Sequence, residues 1–430
     1  MQPVSTADTV EAVQQKGGHS AAYAWYVTFV LMLCSALNFF DAKLPFILIE
    51  AIKADLDLTD TQIGLITGPA FSLTLAIFAI PVARLSDRYS RKHIMAIAIA
   101  VWSAATAAGG ASRSFVHFLL SRTGVAVGES ACTPAAHSFI ADYFPSHSRA
   151  RPIAIYYLGA GVGGGLGIGL GGLFNDMFGW RTTMVLVGVL GIGLMALVLL
   201  TVKEPYRAHV AEKKPSPPLL KVLRGFYADP VVRHMAIGGT LVLGSLGGAA
   251  NWLPAYAMRS FDLTATEVGA SYGVLIGVLG ILAPLVAGFA SDWLSKRDQR
   301  FGLLLLTPAF AVAGLATFAA LLSPTYTLFL TFFAFTMFLG AFYASPIYAV
   351  LQSRVSPDVR STASATFLFL FNGIGLGSGA FFIGVMSDFF QPRFGEGSLR
   401  AAILLTPILA LWAAVHLALA ARAMTSKPLA

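Results

Sequence analysis

Apolar runs of roughly 20 residues, the length that carries a helix across a bilayer's hydrocarbon core, recur from about residue 22 to about residue 422. In that solvent a segment must satisfy its own backbone hydrogen bonds, which a helix does. Twelve spans are predicted, near 22–53, 61–84, 93–111, 116–142, 152–176, 181–202, 231–258, 266–290, 301–322, 326–352, 362–388 and 400–422. Only 12% of residues are charged while 56% are hydrophobic, too apolar a pattern for a soluble core to absorb. Cys34 and Cys132 fall inside apolar segments and read as small core residues rather than a disulfide framework. The polar stretch before about Ser20 leads into no short apolar core with a small-residue cleavage site, so no removable signal peptide is expected.

The net charge of +8 would suggest nucleic acid or acidic partners in a soluble chain. Here Lys and Arg collect in loops. With the amino terminus inside, 21 of them fall in inner segments and 6 in outer ones. The positive-inside rule therefore puts both termini in the cytoplasm of a multi-pass protein of the inner (plasma) membrane, with the bilayer and no nucleic acid as its surroundings. The expected organisation is a tail over 1–21, a six-helix bundle over 22–202, a linker over 203–230, a second bundle over 231–422 and a tail over 423–430. The linker holds Pro215-Ser216-Pro217-Pro218 and an amphipathic basic run from Leu219 to Arg224, suited to the inner membrane surface.

Two internal repeats support the division. Leu58-Thr59-Asp60-Thr61-Gln62-Ile63-Gly64 returns 205 positions later as Leu263-Thr264-Ala265-Thr266-Glu267-Val268-Gly269, and the charged cluster Ser86–Lys92 returns as Ser291–Arg297. Gly161–Gly167 in span five returns 212 positions later as Gly373–Gly379 in span eleven. Parallel halves of this kind are related by an axis along the membrane normal, as in alternating-access transporters.

The loop after span two (Ala83, Asp87, Arg91, Lys92, with Gly288, Asp292, Lys296 and Arg297 as its second copy) resembles the signature of the major facilitator superfamily. Arg122 followed by Gly128-Glu129 in span four, and Asn38-Phe39-Phe40-Asp41 in span one, resemble the spinster family within it. The resemblance covers the chain after its tail. It departs where the family places Arg directly after the span-one Asp, since this chain has Ala42 and then Lys43, and span five lacks the antiporter Gly-Pro pair. It implies an all-α fold of twelve transmembrane helices in two bundles. It also implies a secondary transporter that moves an amphipathic substrate, such as a lysophospholipid or phosphorylated sphingoid-like lipid, with proton coupling. A small organic anion such as a sugar acid is the alternative substrate.

An ionised side chain at mid-membrane costs roughly 2.5–3.5 kcal/mol on insertion scales, so such groups face a cavity or one another. Asp41, Arg122 and Glu129 are the expected proton-coupling groups, with Arg122, Ala126, Glu129 and Thr133 on one face of span four and Gly124, Gly128, Ala131 and Ala135 on the other. The competing reading is a static ion-pair network. Arg122, Asn38, Lys43, Asn251 and Tyr343 are the expected substrate contacts, although Lys43 is also placed to snorkel outward. Trp252 and Tyr256 suit a substrate wall or an interfacial aromatic belt. Asp87, Arg91, Arg149, Asp292 and Lys296 are the expected cytoplasmic gate, Asp87 latching the halves together by accepting from a helix amide or an Arg such as Arg149.

His93, His117 and His234 sit near span ends, and His137 and His416 read as single residues. None has metal-ligand spacing, so no metal or cofactor is expected. Gly-rich span five lacks the Lys-Ser/Thr of a phosphate cradle. No nucleophile–base pair points to an enzyme. A non-transporting receptor would add a soluble domain that the short tails do not supply. The expected form is a monomer.

Overall fold

A computed structural model describes residues 20–204, 219–356 and 359–424, with the side chains of Ile80, Ala83, Arg84, 86–88, Ser146, 219–223 and Ser361 outside the description. Among the described residues eight helices are long and apolar enough to cross a membrane by length and composition. Two of these, Ala150–Thr201 and 362–423, are helix pairs folded back at Gly179 and Gly395, whose φ of 78° and 52° need a residue without Cβ. Two further spans, 115–143 and 230–261, are interrupted by irregular turns. The result is twelve spans: α1 (Ala21–Leu56), α2 (60–88), α3 (Arg91–Gly110), α4 (115–143), α5 (150–178), α6 (180–201), α7 (230–261), α8 (Ala265–Ser295), α9 (Gln299–Leu321), α10 (Tyr326–Arg354), α11 (360–394) and α12 (398–423). A separate helix, Leu219–Ala228, precedes α7.

The first repeat builds the same corner twice. Asp57 and Asp262 end α1 and α7 in the left-handed conformation, at φ 50° and 52°. Thr59 and Thr264 then cap α2 and α8 with complete capping boxes, closed by Gln62 and Glu267. The second repeat forms the seams. Gly159, Gly163 and Gly167 of α5 press on the α1 backbone, whereas Gly161, Gly165 and Gly172 press on α8. In α11, Gly375 and Gly379 meet α7, whereas Gly377 and Gly384 meet α2. Each glycine-rich helix thus packs one face on its own half and the other on the opposite half, and a methyl at Gly165 would lie 2.6 Å from the Gly273 oxygen.

The core divides unevenly through the membrane. On the face that carries α1's start and the helix Leu219–Ala228 before α7 (the linker face), one cluster holds Leu31, Trp102 and Phe139 and a separate one holds Met235, Phe310 and Phe367. Toward the distal face a single cluster runs through both halves, from Phe46, Ile63 and Trp180 to Trp252, Tyr272 and Phe333. The halves are therefore joined distally and parted at the linker face.

Candidate substrate and proton site

Inside the amino-terminal half, Asp41 of α1 and Arg122 of α4 form an ion pair at 2.8 Å, their side chains 2% and 3% exposed. The second Asp41 oxygen accepts from the Thr106 hydroxyl of α3. Arg122 also lies over the Phe71 ring of α2, 5.2 Å from its centroid. Glu129, two turns from Arg122 on α4, is buried, and its Oε1 has no protein partner. Elsewhere in this half Ser35 Oγ, Asn38 Nδ2, Trp102 Nε1 and Ser103 Oγ are likewise buried without protein partners. The predicted small face of α4 makes the arrangement possible: Gly124 and Gly128 lie against Ala105 and Trp102, which brings α3 close enough for Thr106 to reach Asp41. Sequence reasoning missed Thr106, whose hydroxyl carries no signal of its own in an apolar helix.

Lys43 does not snorkel. Its Nζ donates to Asn251 Oδ1 of α7 at 3.3 Å, so it bridges the halves, and it lies 5.0 Å from the Phe46 ring centroid. Among the described residues it forms no ion pair. A cavity of about 60 Å³ opens beside it, lined by Lys43, Phe46, Ile168, Asn251, Tyr272 and Met337. Lys43 and Asn251 are its polar groups beside the Tyr272 hydroxyl, which is already spent on the Ala250 carbonyl at 2.6 Å.

Tyr343 stands apart from this cavity, with its ring packed on Phe371 at 5.9 Å. Trp252 and Tyr256 form neither a wall nor an interfacial belt. Both are buried in the distal core, donating to the carbonyls of Ala380 and Leu321.

A second polar constellation, at the distal face, was not anticipated. Arg259 of α7 donates to Glu50 of α1 and to both oxygens of Asp60 of α2, at 2.8–2.9 Å. Lys53 and Ser387 complete the shell of Asp60 at 2.6 Å each. Asp388 of α11 accepts from the first amides of α2, Asp60 N at 3.1 Å and Thr61 N at 2.7 Å. Asp176 of α5 does the same for α8, accepting from Thr266 N at 2.8 Å. The caps are repeats of one another, because Asp388 follows Asp176 by 212 positions and Thr266 follows Thr61 by 205.

This architecture matches known proteins. The family model described as Major Facilitator Superfamily matches residues 31–380. The chain belongs to that superfamily. Within it, the spinster family is supported by Protein spinster homolog 1 of Rattus norvegicus, 28% identical, the alignment covering 88% of this chain and 76% of that protein. A solved bacterial homolog of the human lysosomal transporter spinster, in an inward-facing and unoccupied conformation, superposes with a TM-score of 0.84 at 27% identity, covering 96% of this chain and all of that one. An MFS-type efflux pump of Mycolicibacterium smegmatis is 34% identical, with 90% of each chain covered. The chain is thus a multi-pass membrane transporter of the spinster family with a small-molecule substrate.

In this transporter the predicted gate residues are dispersed. Arg91 pairs with Asp142 and donates to the Ser138 carbonyl, and Arg149 donates to the carbonyls of Phe144 and Ala141; all four partners lie at the end of α4. Asp292 and Lys296 are exposed at the end of α8. The Asp87 side chain lies outside the described residues, and so does the latch predicted for it. One histidine reading needs correction: His416 is not single, since its Nδ1 lies 2.8 Å from Nδ1 of His234 across α7 and α12. Helix packing at the linker face makes this pair, which no sequence spacing could announce. Among the described residues no three His, Cys, Asp or Glu side chains converge as a metal site.

Proposed function

We propose that this transporter is a proton-coupled secondary carrier of an amphipathic, anionic substrate, and that its linker face is cytoplasmic. The orientation rests on the bias of Lys and Arg toward that face in the sequence, where α1 starts and α12 ends. The two halves, 22–202 and 231–422, rock about the central site, with the distal side closed and the cytoplasmic side open in this state. The chain acts as a monomer in the plasma membrane.

The observation that carries the proton half is the buried trio. Asp41, Glu129 and Arg122 supply two acids and one base in a low-dielectric interior, so the charges balance when one carboxyl holds a proton. Protonating Asp41 frees Arg122 to turn toward Glu129 or toward a bound anion, which ties site charge to occupancy. Lys43 and Asn251 suit the substrate's head group and the apolar cavity walls suit its tail, which favours a lipid-like molecule over a sugar acid. Asn38 and Tyr343 lie outside this lining, Asn38 one helical turn before Asp41 and Tyr343 against Phe371.

Flux in proteoliposomes across a range of pH tests the proton half with Glu129→Gln and Asp41→Asn. Each is expected to lose the pH dependence of the parent, and unchanged pH dependence in both would reduce the trio to static packing. Lysophosphatidylglycerol and glucuronate, compared by thermal shift, test the substrate half. The expected result is stabilisation by the lipid, lost in Lys43→Gln; stabilisation by glucuronate alone reverses the substrate assignment.

A further inference from the structure

Glu129 is buried and the joined core closes the distal face, so a proton it exchanges in this state leaves toward the linker face. His137 lies eight residues further along, about 12 Å at 1.5 Å per residue. Its Nε2 is buried without a protein partner, as Glu129 Oε1 is. Hydroxyls stand between the two. Thr133, one turn from each, lies 3.1 Å from the Tyr156 hydroxyl of α5, which also meets Cys132 Sγ at 3.7 Å. The His137 ring is held edge-on by Tyr156 and Tyr157, with centroids at 5.9 and 5.7 Å.

Two unsatisfied titratable groups on one helix, with the Thr133 and Tyr156 hydroxyls in the stretch between them and the half-exposed Tyr157 beside the second, outline a route to solvent. We propose that His137 passes protons between Glu129 and the water of the linker-face opening; the proposal rests on the reading of Glu129 as a proton carrier.

The Glu129 O–H bond breaks and its proton moves through the Thr133 and Tyr156 hydroxyls and intervening water. An N–H bond forms on neutral His137, and the imidazolium then releases a proton to solvent water, returning to its starting state. The titratable and charged groups around the ring are Tyr156 and Tyr157 of α5, Cys132 and Glu129 of α4, Tyr348 of α10 opposite Tyr157, and the Arg91–Asp142 pair one turn onward. Arg91 is neutralised there by Asp142 and leaves the exit beside Tyr157 without a net charge.

The test follows the infrared carbonyl band of a protonated carboxyl after a buffer pH jump on the full-length purified protein, without substrate. A band lost in Glu129→Gln reports this carboxyl. In His137→Gln the band should keep its amplitude but form roughly a hundredfold more slowly, the lower end of what a positioned side chain contributes to proton transfer. Added imidazole should restore the rate. Tyr156→Phe, which keeps the ring and removes the hydroxyl, should also slow it and serves where His137→Gln fails to fold. An unchanged rate in both variants, or slowing that imidazole does not relieve, overturns the relay. A band that persists in Glu129→Gln instead overturns the proton assignment of Glu129, whatever His137 does.

Discussion

The two seams that join the halves are copies of one design, yet they are fastened differently. Both bring helices together through glycine and cap an incoming helix with an aspartate from the opposite half. The α2–α11 seam adds a charged knot around Asp60, whereas its counterpart in the α5–α8 seam is Ala265, which has nothing to tie. One seam is held by packing and a single cap. The other is held by packing, a double cap and three charged neighbours. Among the described residues the ion pairs between the halves lie along one edge, around Arg259, which makes the α5–α8 edge the natural axis of the movement.

Spin-label distances across the distal face, with Cys34 and Cys132 replaced, can break this comparison. Arg259→Ala should act most strongly. It removes the link to Glu50 and Asp60 while Lys53 still neutralises Asp60, so about 2–3 kcal/mol is expected, below the ~3–5 kcal/mol of an uncompensated buried pair. The distal-open population should rise accordingly. Asp388→Ala strips both amides at the start of α2 and should weaken closure by about 1–2 kcal/mol, the upper range for a lost cap. Asp176→Ala removes one bond at an exposed site and should cost roughly 0.5–1 kcal/mol. Equal shifts in Arg259→Ala and Asp176→Ala would remove the asymmetry as an energetic fact.

How far the sequence could be read depended on whether the signal was local. Apolar length gave the spans, and the repeats gave the paired halves because copied corners keep their capping residues, Thr59 with Gln62 and Thr264 with Glu267. The Asp41–Arg122 pair was legible because charge inside an apolar run is costly enough to demand a partner. Thr106 was not, since a lone hydroxyl in a helix can satisfy itself on its own backbone. The Arg259 knot escaped notice because acids and bases at span ends are ordinary there, and only the fold brings Glu50, Asp60 and Arg259 to one point. Lys43 looked outward-facing on a single helix. Its direction was settled by α7, a partner 208 positions away in the chain.

Glycine at the crossings has a kinetic consequence. Surfaces that meet backbone to backbone carry no knobs that must climb out of holes, so one half can roll over the other without repacking a row of side chains. The height of the barrier is then left to the few polar ties at the rim, and turnover can be tuned there while the bearing itself stays untouched.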